Sequence, residues 1–149
     1  MGQKRILAIL IFGLICFTSC KSYYISLESF KQQFASIDST NLKRVKMTGG
    51  GSLWVTEQYL ANPITKIQCT DKKGNPAELD NGPAIEIRFT YGKANKRTVF
   101  YFDRVFVTDS KVIGVPSRFI PTMRKTIPLN EIKKIEVQKG GKNFKYVYK

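Results

Sequence analysis

Ala84-Ile85-Glu86-Ile87-Arg88-Phe89-Thr90-Tyr91 alternates apolar and polar side chains without a break after its first residue. A period of two is that of a strand with one face in a core and the other toward solvent. Working outward from it, the same pattern recurs. On the N-terminal side, residues 42–48, 53–59 and 64–70 read as strands. They are separated by Gly49-Gly50-Gly51-Ser52 and closed by Asp71-Lys72-Lys73-Gly74-Asn75-Pro76, both rich in turn formers. On the C-terminal side, residues 97–107 form an aromatic, β-branched stretch too long for one ordinary strand, so a bend is expected near Asp103-Arg104. Asp109-Ser110 turns the chain into 111–115, after which 126–129, 133–138 and 144–148 complete the strands. Gly140-Gly141 suits a two-residue hairpin turn between the last two.

One segment departs from this period. Ser26 is a good N-cap, and Leu27, Phe30, Phe34 and Ile37 follow at helical spacing, predicting a helix over 26–36 whose apolar face packs on a sheet. A membrane-surface helix is the rival, but the segment carries one lysine and lacks a basic face. With no crossover helices between the strands, antiparallel pairing follows. The expected fold is mainly β (α+β): one N-terminal helix packed on an antiparallel β-sandwich or partly closed barrel of about 8–9 strands.

Composition bounds the chemistry. The 149 residues contain no histidine, which removes Ser–His and Cys–His triads, histidine metal ligands and the usual pH switch. No Ser-x-x-Lys or Gly-x-Ser-x-Gly occurs either. Gly49-Gly50-Gly51 lacks the Gly-Lys-Ser/Thr of a phosphate-binding loop and reads as a turn. Asp71, Asn75, Glu78, Asp80 and Asn81 do not match calcium-loop spacing, and Lys72 and Lys73 oppose a cation. Glu78 and Asp80 read as solvated loop residues rather than an acid–base pair. Neither a metal nor a cofactor is expected.

The other informative stretch is the beginning of the sequence. Lys4-Arg5 precedes an unbroken apolar run over 6–17, and Thr18-Ser19-Cys20 follows. These are the parts of a secretory signal peptide. A 12-residue helix rises only about 18 Å, short of the ~30 Å hydrocarbon core, and is a poor permanent span. Phe17-Thr18-Ser19-Cys20 resembles the lipobox of bacterial lipoproteins, with Phe17 where that motif usually has leucine. The resemblance implies cleavage before Cys20 and acylation of its thiol and new amino terminus. The organisation is then a signal peptide over 1–19, a lipid-anchored tether over 20–25 and one β-rich domain over 26–149. Tyr23 and Tyr24 either rest at the headgroups or start the fold. Cys16 leaves with the signal, so Cys69 has no disulfide partner in the mature chain and reads as a buried small hydrophobe beside Ile67 and Ile64.

A second resemblance covers about a third of the chain, on Phe102-Asp103-Arg104-Val105-Phe106-Val107, Val112-Ile113-Gly114 and 127–137. These pieces are similar to the C-terminal part of small bacterial envelope lipoproteins of unassigned function, and bring no catalytic residues. Ile127-Pro128-Leu129 with Ile132, then Ile135 and Val137, also resembles bacterial pleckstrin-homology-like modules. Those modules end in a helix, where this sequence reads as a strand.

Charge points to the partners. The chain carries 25 Lys and Arg against 11 Asp and Glu, and losing Lys4 and Arg5 still leaves +12. Lys21, Lys93, Lys96, Arg97, Lys139 and Lys142 are the candidate contacts to an anionic surface, expected to cluster in part on one face. Such lysines also serve solubility at hairpin tips and sheet edges. The expected function is that of an exported, lipid-anchored, non-enzymatic binding or assembly module of the bacterial cell envelope. Its partners are the membrane through acylated Cys20, an anionic lipid or envelope polymer, and an envelope protein. By resemblance to lipoprotein sorting signals, Lys21-Ser22 after the cysteine favours the outer membrane, facing the periplasm. One alternative is a nucleic-acid-binding barrel, from Lys96-Arg97 before Phe100, Tyr101 and Phe102, and Lys142 and Lys145 around Phe144, Tyr146 and Tyr148. An export signal separates the chain from most nucleic acid. The other alternative is a small envelope enzyme working without histidine.

Overall fold

The computed structural model describes residues 21–49 and 55–147. The signal-peptide and lipobox positions, most of the triple-glycine turn and Tyr148 lie outside the described residues. Twelve strands and one α-helix are described, and every strand pair is antiparallel. The expected mainly β fold with one N-terminal helix is the fold observed.

The opening stretch is strand β6 (Ile85–Tyr91), an interior strand one in from the edge of a six-stranded sheet. Its neighbours are β7 (Lys96–Tyr101) on one side and β11 (Ile132–Lys139) on the other. Beyond β11 lie β1 (Ser22–Ile25), β4 (Lys66–Thr70) and the edge strand β5 (Pro76–Asp80). A three-stranded sheet joins β8 (Phe106–Val107), β9 (Lys111–Gly114) and β10 (Lys125–Pro128). A third joins β2 (Lys43–Gly49), β3 (Val55–Ala61) and β12 (Phe144–Tyr146).

Helix α1 (Leu27–Phe34) starts where Ser26 predicts, with Ser26 Oγ accepting from the Ser29 amide at 3.1 Å. It stops at Phe34 instead of continuing to residue 36. Phe30 and Phe34 are fully or nearly buried, and Phe30 meets Phe89 of β6 edge-on at 5.5 Å. The apolar stripe therefore faces the core. Around it the main core gathers Ile67, Ile87, Phe100, Phe102, Ile127 and Val137.

Four expectations are corrected (the tether, the loop over 76–80, the number of strands and the Gly140-Gly141 turn), while the expected bend in 97–107 is found. The tether over 20–25 is largely a strand: Ser22–Ile25 pairs with both β11 and β4, inside the six-stranded sheet. With polar and aromatic residues and only Ile25 buried, it has no readable period. Pro76–Asp80, read as loop, is strand β5; an edge position accommodates its proline. The stretch 97–107 does bend at Asp103-Arg104, through a 3₁₀ turn over Phe102–Arg104 that separates β7 from β8. Together these account for twelve strands where eight or nine were expected. Finally, Gly140-Gly141 is not a hairpin turn. Both edges of β11 are taken by β1 and β6, so β12 crosses to pair with β2. Gly49, at φ +132°, makes that pairing fit, because a Cβ there would lie 2.1 Å from the Asn143 carbonyl oxygen.

Two cores result. Phe100 points into the main one, while its neighbour Tyr101 joins Met47, Tyr59, Ala61 and Phe144 in a second, under the β12–β2–β3 sheet. The C-terminal end of β7 is thus a shared wall between the two cores.

Candidate functional site

Asp103 lies at the junction of the two cores. The bend after β7 turns its side chain inward, and it is fully buried. Carboxylate Oδ1 pairs with Arg118 Nη2 at 2.6 Å, and both side chains are inaccessible to solvent. Oδ2 accepts hydroxyl hydrogen bonds from Tyr59 at 2.5 Å and Tyr146 at 2.8 Å. One carboxylate thus ties β3, β12 and the 115–124 connection to the end of β7. Burial, and then the negative charge of Asp103, push both phenols above their ordinary range and keep them protonated.

Arg118 also donates to the Pro83 carbonyl at 2.9 Å. Its Nε and Nη1 make no protein hydrogen bond, but the guanidinium lies 4.1 Å from the Tyr101 ring centroid and 4.8 Å from that of Tyr59. Aromatic faces take the place of acceptors. Arg104, next to Asp103, pairs with Glu57 at 2.6 Å, with both side chains almost buried. Asn62 completes the junction, donating through Nδ2 to the Phe102 and Val105 carbonyls. Both Asp103 oxygens are engaged, so the network is built to join segments rather than to exchange a proton with a substrate.

Beside it opens a groove of about 650 Å³, between the 37–42 segment, β3 and β8. Ile37, Leu42, Leu60, Phe106, Val107 and Ile113 make its wall apolar, and Arg104 and Arg124 contribute cationic edges. This volume suits a small apolar group.

The six candidate surface cations do not form one patch. Lys93, Lys96 and Arg97 are exposed around the β6–β7 hairpin, at the end of the sheet where Tyr91 faces Lys96. Lys21, Lys139 and Lys142 are exposed at the other end, where Ser22 faces Gln138. The five residue steps from Lys96 to Tyr101 separate the two groups by about 17 Å along the strand. Lys21, Lys139 and Lys142 thus share one end of the sheet, spread across it from β1 to the Tyr101 side, and the other three lie at the opposite end.

The aromatics of the nucleic-acid alternative are spent on packing. Phe100, Tyr101, Phe102 and Phe144 are buried, and Tyr146 turns its hydroxyl to Asp103. The carboxylates considered for calcium do not converge. Asp71 caps its own turn, and the hydrogen bonds from Asn75 hold its carboxyl below the usual range. Glu78 and Asp80 lie on β5 and pair with Lys66 at 3.4 and 2.7 Å. Among the described residues, no group of three or more Cys, Asp or Glu side chains could hold a metal ion. Cys69 is buried at 8% exposure in the main core, and burial pushes its thiol pKa up.

Sequence reasoning treated Asp103-Arg104 only as a bend and passed over Arg118. Two charged residues within an aromatic run, at a place where a strand must break, were the available signal. No family model, curated protein or solved structure matches the chain.

Proposed function

We propose that this chain is an exported, lipid-anchored binding or assembly module of the bacterial cell envelope, without catalytic activity. It is held at the outer membrane, facing the periplasm, through acylated Cys20. One observation carries the reading: an apolar run ending in Phe17-Thr18-Ser19-Cys20 stands two residues ahead of the first strand, Ser22–Ile25. Acyl chains on Cys20 supply about 0.8 kcal/mol per buried methylene, and two or more chains anchor a protein stably. Because β1 sits inside the six-stranded sheet, the link from Cys20 to the fold is at most about 7 Å of extended chain. The domain works against the bilayer surface.

The exposure of Lys21, Lys139 and Lys142 at one end of the sheet supports a contact with anionic headgroups or an acidic envelope polymer. The groove under Leu60 and Phe106 supports binding of an apolar group, from a lipid or an envelope protein. The test is the intact mass of the protein extracted from native membranes, beside a Cys20→Ala control. An acylated chain beginning at Cys20 is expected; an unacylated chain retaining Met1 overturns the proposal.

A further inference from the structure

Three large apolar side chains are exposed within five residues: Phe119 at 50%, Ile120 at 49% and Met123 at 37%. Single exposed apolar residues are ordinary, but a contiguous group on a fixed backbone marks a contact surface. The backbone here is fixed at several points. Arg118 holds one side of the loop through its buried pair with Asp103. Arg104 Nη2 donates to the Pro121 carbonyl at 3.2 Å. Ser117 Oγ accepts from the amides of Phe119 and Ile120, and the Met123 amide closes on the Ile120 carbonyl at 3.0 Å. The loop is held with its apolar side chains outward.

The strand register places this loop. Ser22 faces Gln138, Gln138 faces Glu86, and Glu86 faces Tyr101, one row across four adjacent strands about 14 Å wide. Arg118 lies on the Tyr101 ring and donates to Pro83, just ahead of β6. The Phe119 loop therefore emerges at the end of the sheet where β1 begins, the end nearest Cys20 in the sequence. Its surroundings are cationic. From residue 110 to 130 there is no Asp or Glu, Arg124 and Lys125 follow Met123 and are exposed, and Lys142 Nζ lies 5.8 Å from the Phe119 ring. The acids at this junction are engaged: Asp103 by Arg118, Glu57 by Arg104, and Glu86 by Gln138.

We infer that the loop over 117–125 is a second membrane contact. Phe119, Ile120 and Met123 enter the acyl region of an anionic bilayer, while Arg124, Lys125 and Lys142 meet the phosphates. Apolar side chains backed by cations bind at this depth, about 5–10 Å into the headgroup–acyl boundary. Together with the acyl chains, the loop gives the domain two attachment points and so one orientation. The inference rests on the lipid-anchored reading for its biological setting, but it is tested apart from it.

The full-length protein is extracted from membranes and reconstituted in vesicles of equal phosphatidylcholine and phosphatidylglycerol carrying bromine on the acyl chains. Phe119→Trp and Ile120→Trp chains are compared with Lys93→Trp at the opposite end of the sheet. Each is read as the difference from the parent chain, which retains Trp54. The expected result is a blue shift and loss of emission at 119 and 120, with none at 93. An acylated sample in which 119 and 120 are quenched no more than 93 overturns the loop contact and leaves the anchor standing. An unacylated sample, identified by its intact mass, in which 119 and 120 are still quenched supports the loop contact and overturns the anchor. An unacylated, unquenched sample overturns both.

Discussion

Replacing Asp103 by alanine is expected to remove a large part of the stability of this fold. Arg118 is then left with no anion in a site that is 1% exposed, beyond the reach of water and of salt screening. Breaking one side of a buried ion pair costs about 3–5 kcal/mol, because the remaining charge stays desolvated. The hydroxyls of Tyr59 and Tyr146 lose their acceptor as well, at about 1–3 kcal/mol for each buried group left unsatisfied. These terms share one site and do not add fully. A total loss of at least about 4 kcal/mol follows, against a typical domain stability of about 5–15 kcal/mol. Urea unfolding followed by far-ultraviolet circular dichroism measures it. The discriminating measurement is a double-mutant cycle with Arg118→Met. If the pair acts as a unit, Arg118→Met is strongly destabilising in the parent and neutral or stabilising in the Asp103→Ala background, where it removes the stranded charge. Asp103→Ala costing less than about 1 kcal/mol, or Arg118→Met costing the same in both backgrounds, would refute the role given to this network.

Three further outcomes are expected. Unfolded tyrosines ionise near pH 10, whereas Tyr59 and Tyr146 stay protonated above it in the fold, so above that pH the unfolded state binds fewer protons. Their contribution is whole below about pH 10 and falls by about 1.4 kcal/mol per pH unit for each phenol above it; Tyr146→Phe halves that slope in alkaline denaturation curves. At Gly114 a Cβ would lie 2.3 Å from the ring of Phe100, itself 1% exposed, so Gly114→Ala overpacks the main core and lowers the thermal midpoint, at about 1–3 kcal/mol. Neutralising Lys139 and Lys142 to glutamine removes about 1 kcal/mol each of attraction to an anionic membrane, weakening vesicle binding roughly thirtyfold. The same change at Lys96 and Arg97, at the far end of the sheet, leaves vesicle binding as it was; equal losses at both ends would contradict the orientation.

Much of the local structure was legible because it is local. Ser26 capping α1, the period of two through β6 and the turn at residues 71–75 each act on near neighbours, and each is found where the pattern puts it. The helical stripe of Phe30 and Phe34 also named the core face correctly, since a helix with one apolar face has one way to bury it. Strand β1 escaped notice for the opposite reason. Its four residues are held by backbone pairing with β11 and β4, which leaves little trace in side-chain pattern. Phe100-Tyr101-Phe102, buried throughout, breaks the alternation because the end of β7 and the bend after it lie between the two cores.

By itself the sequence determined the class of fold, the place and face of the helix, the break at Asp103-Arg104 and the absence of histidine chemistry. Only the tertiary structure decided that β12 pairs with β2, that six candidate cations divide into two groups, and that Asp103 finds Arg118. Strand partners are chosen by backbone groups that every residue carries, and by whichever edges remain free once other strands have paired. Burial of a charge depends on an opposite charge arriving from a distant segment, and no spacing along the chain announces that meeting.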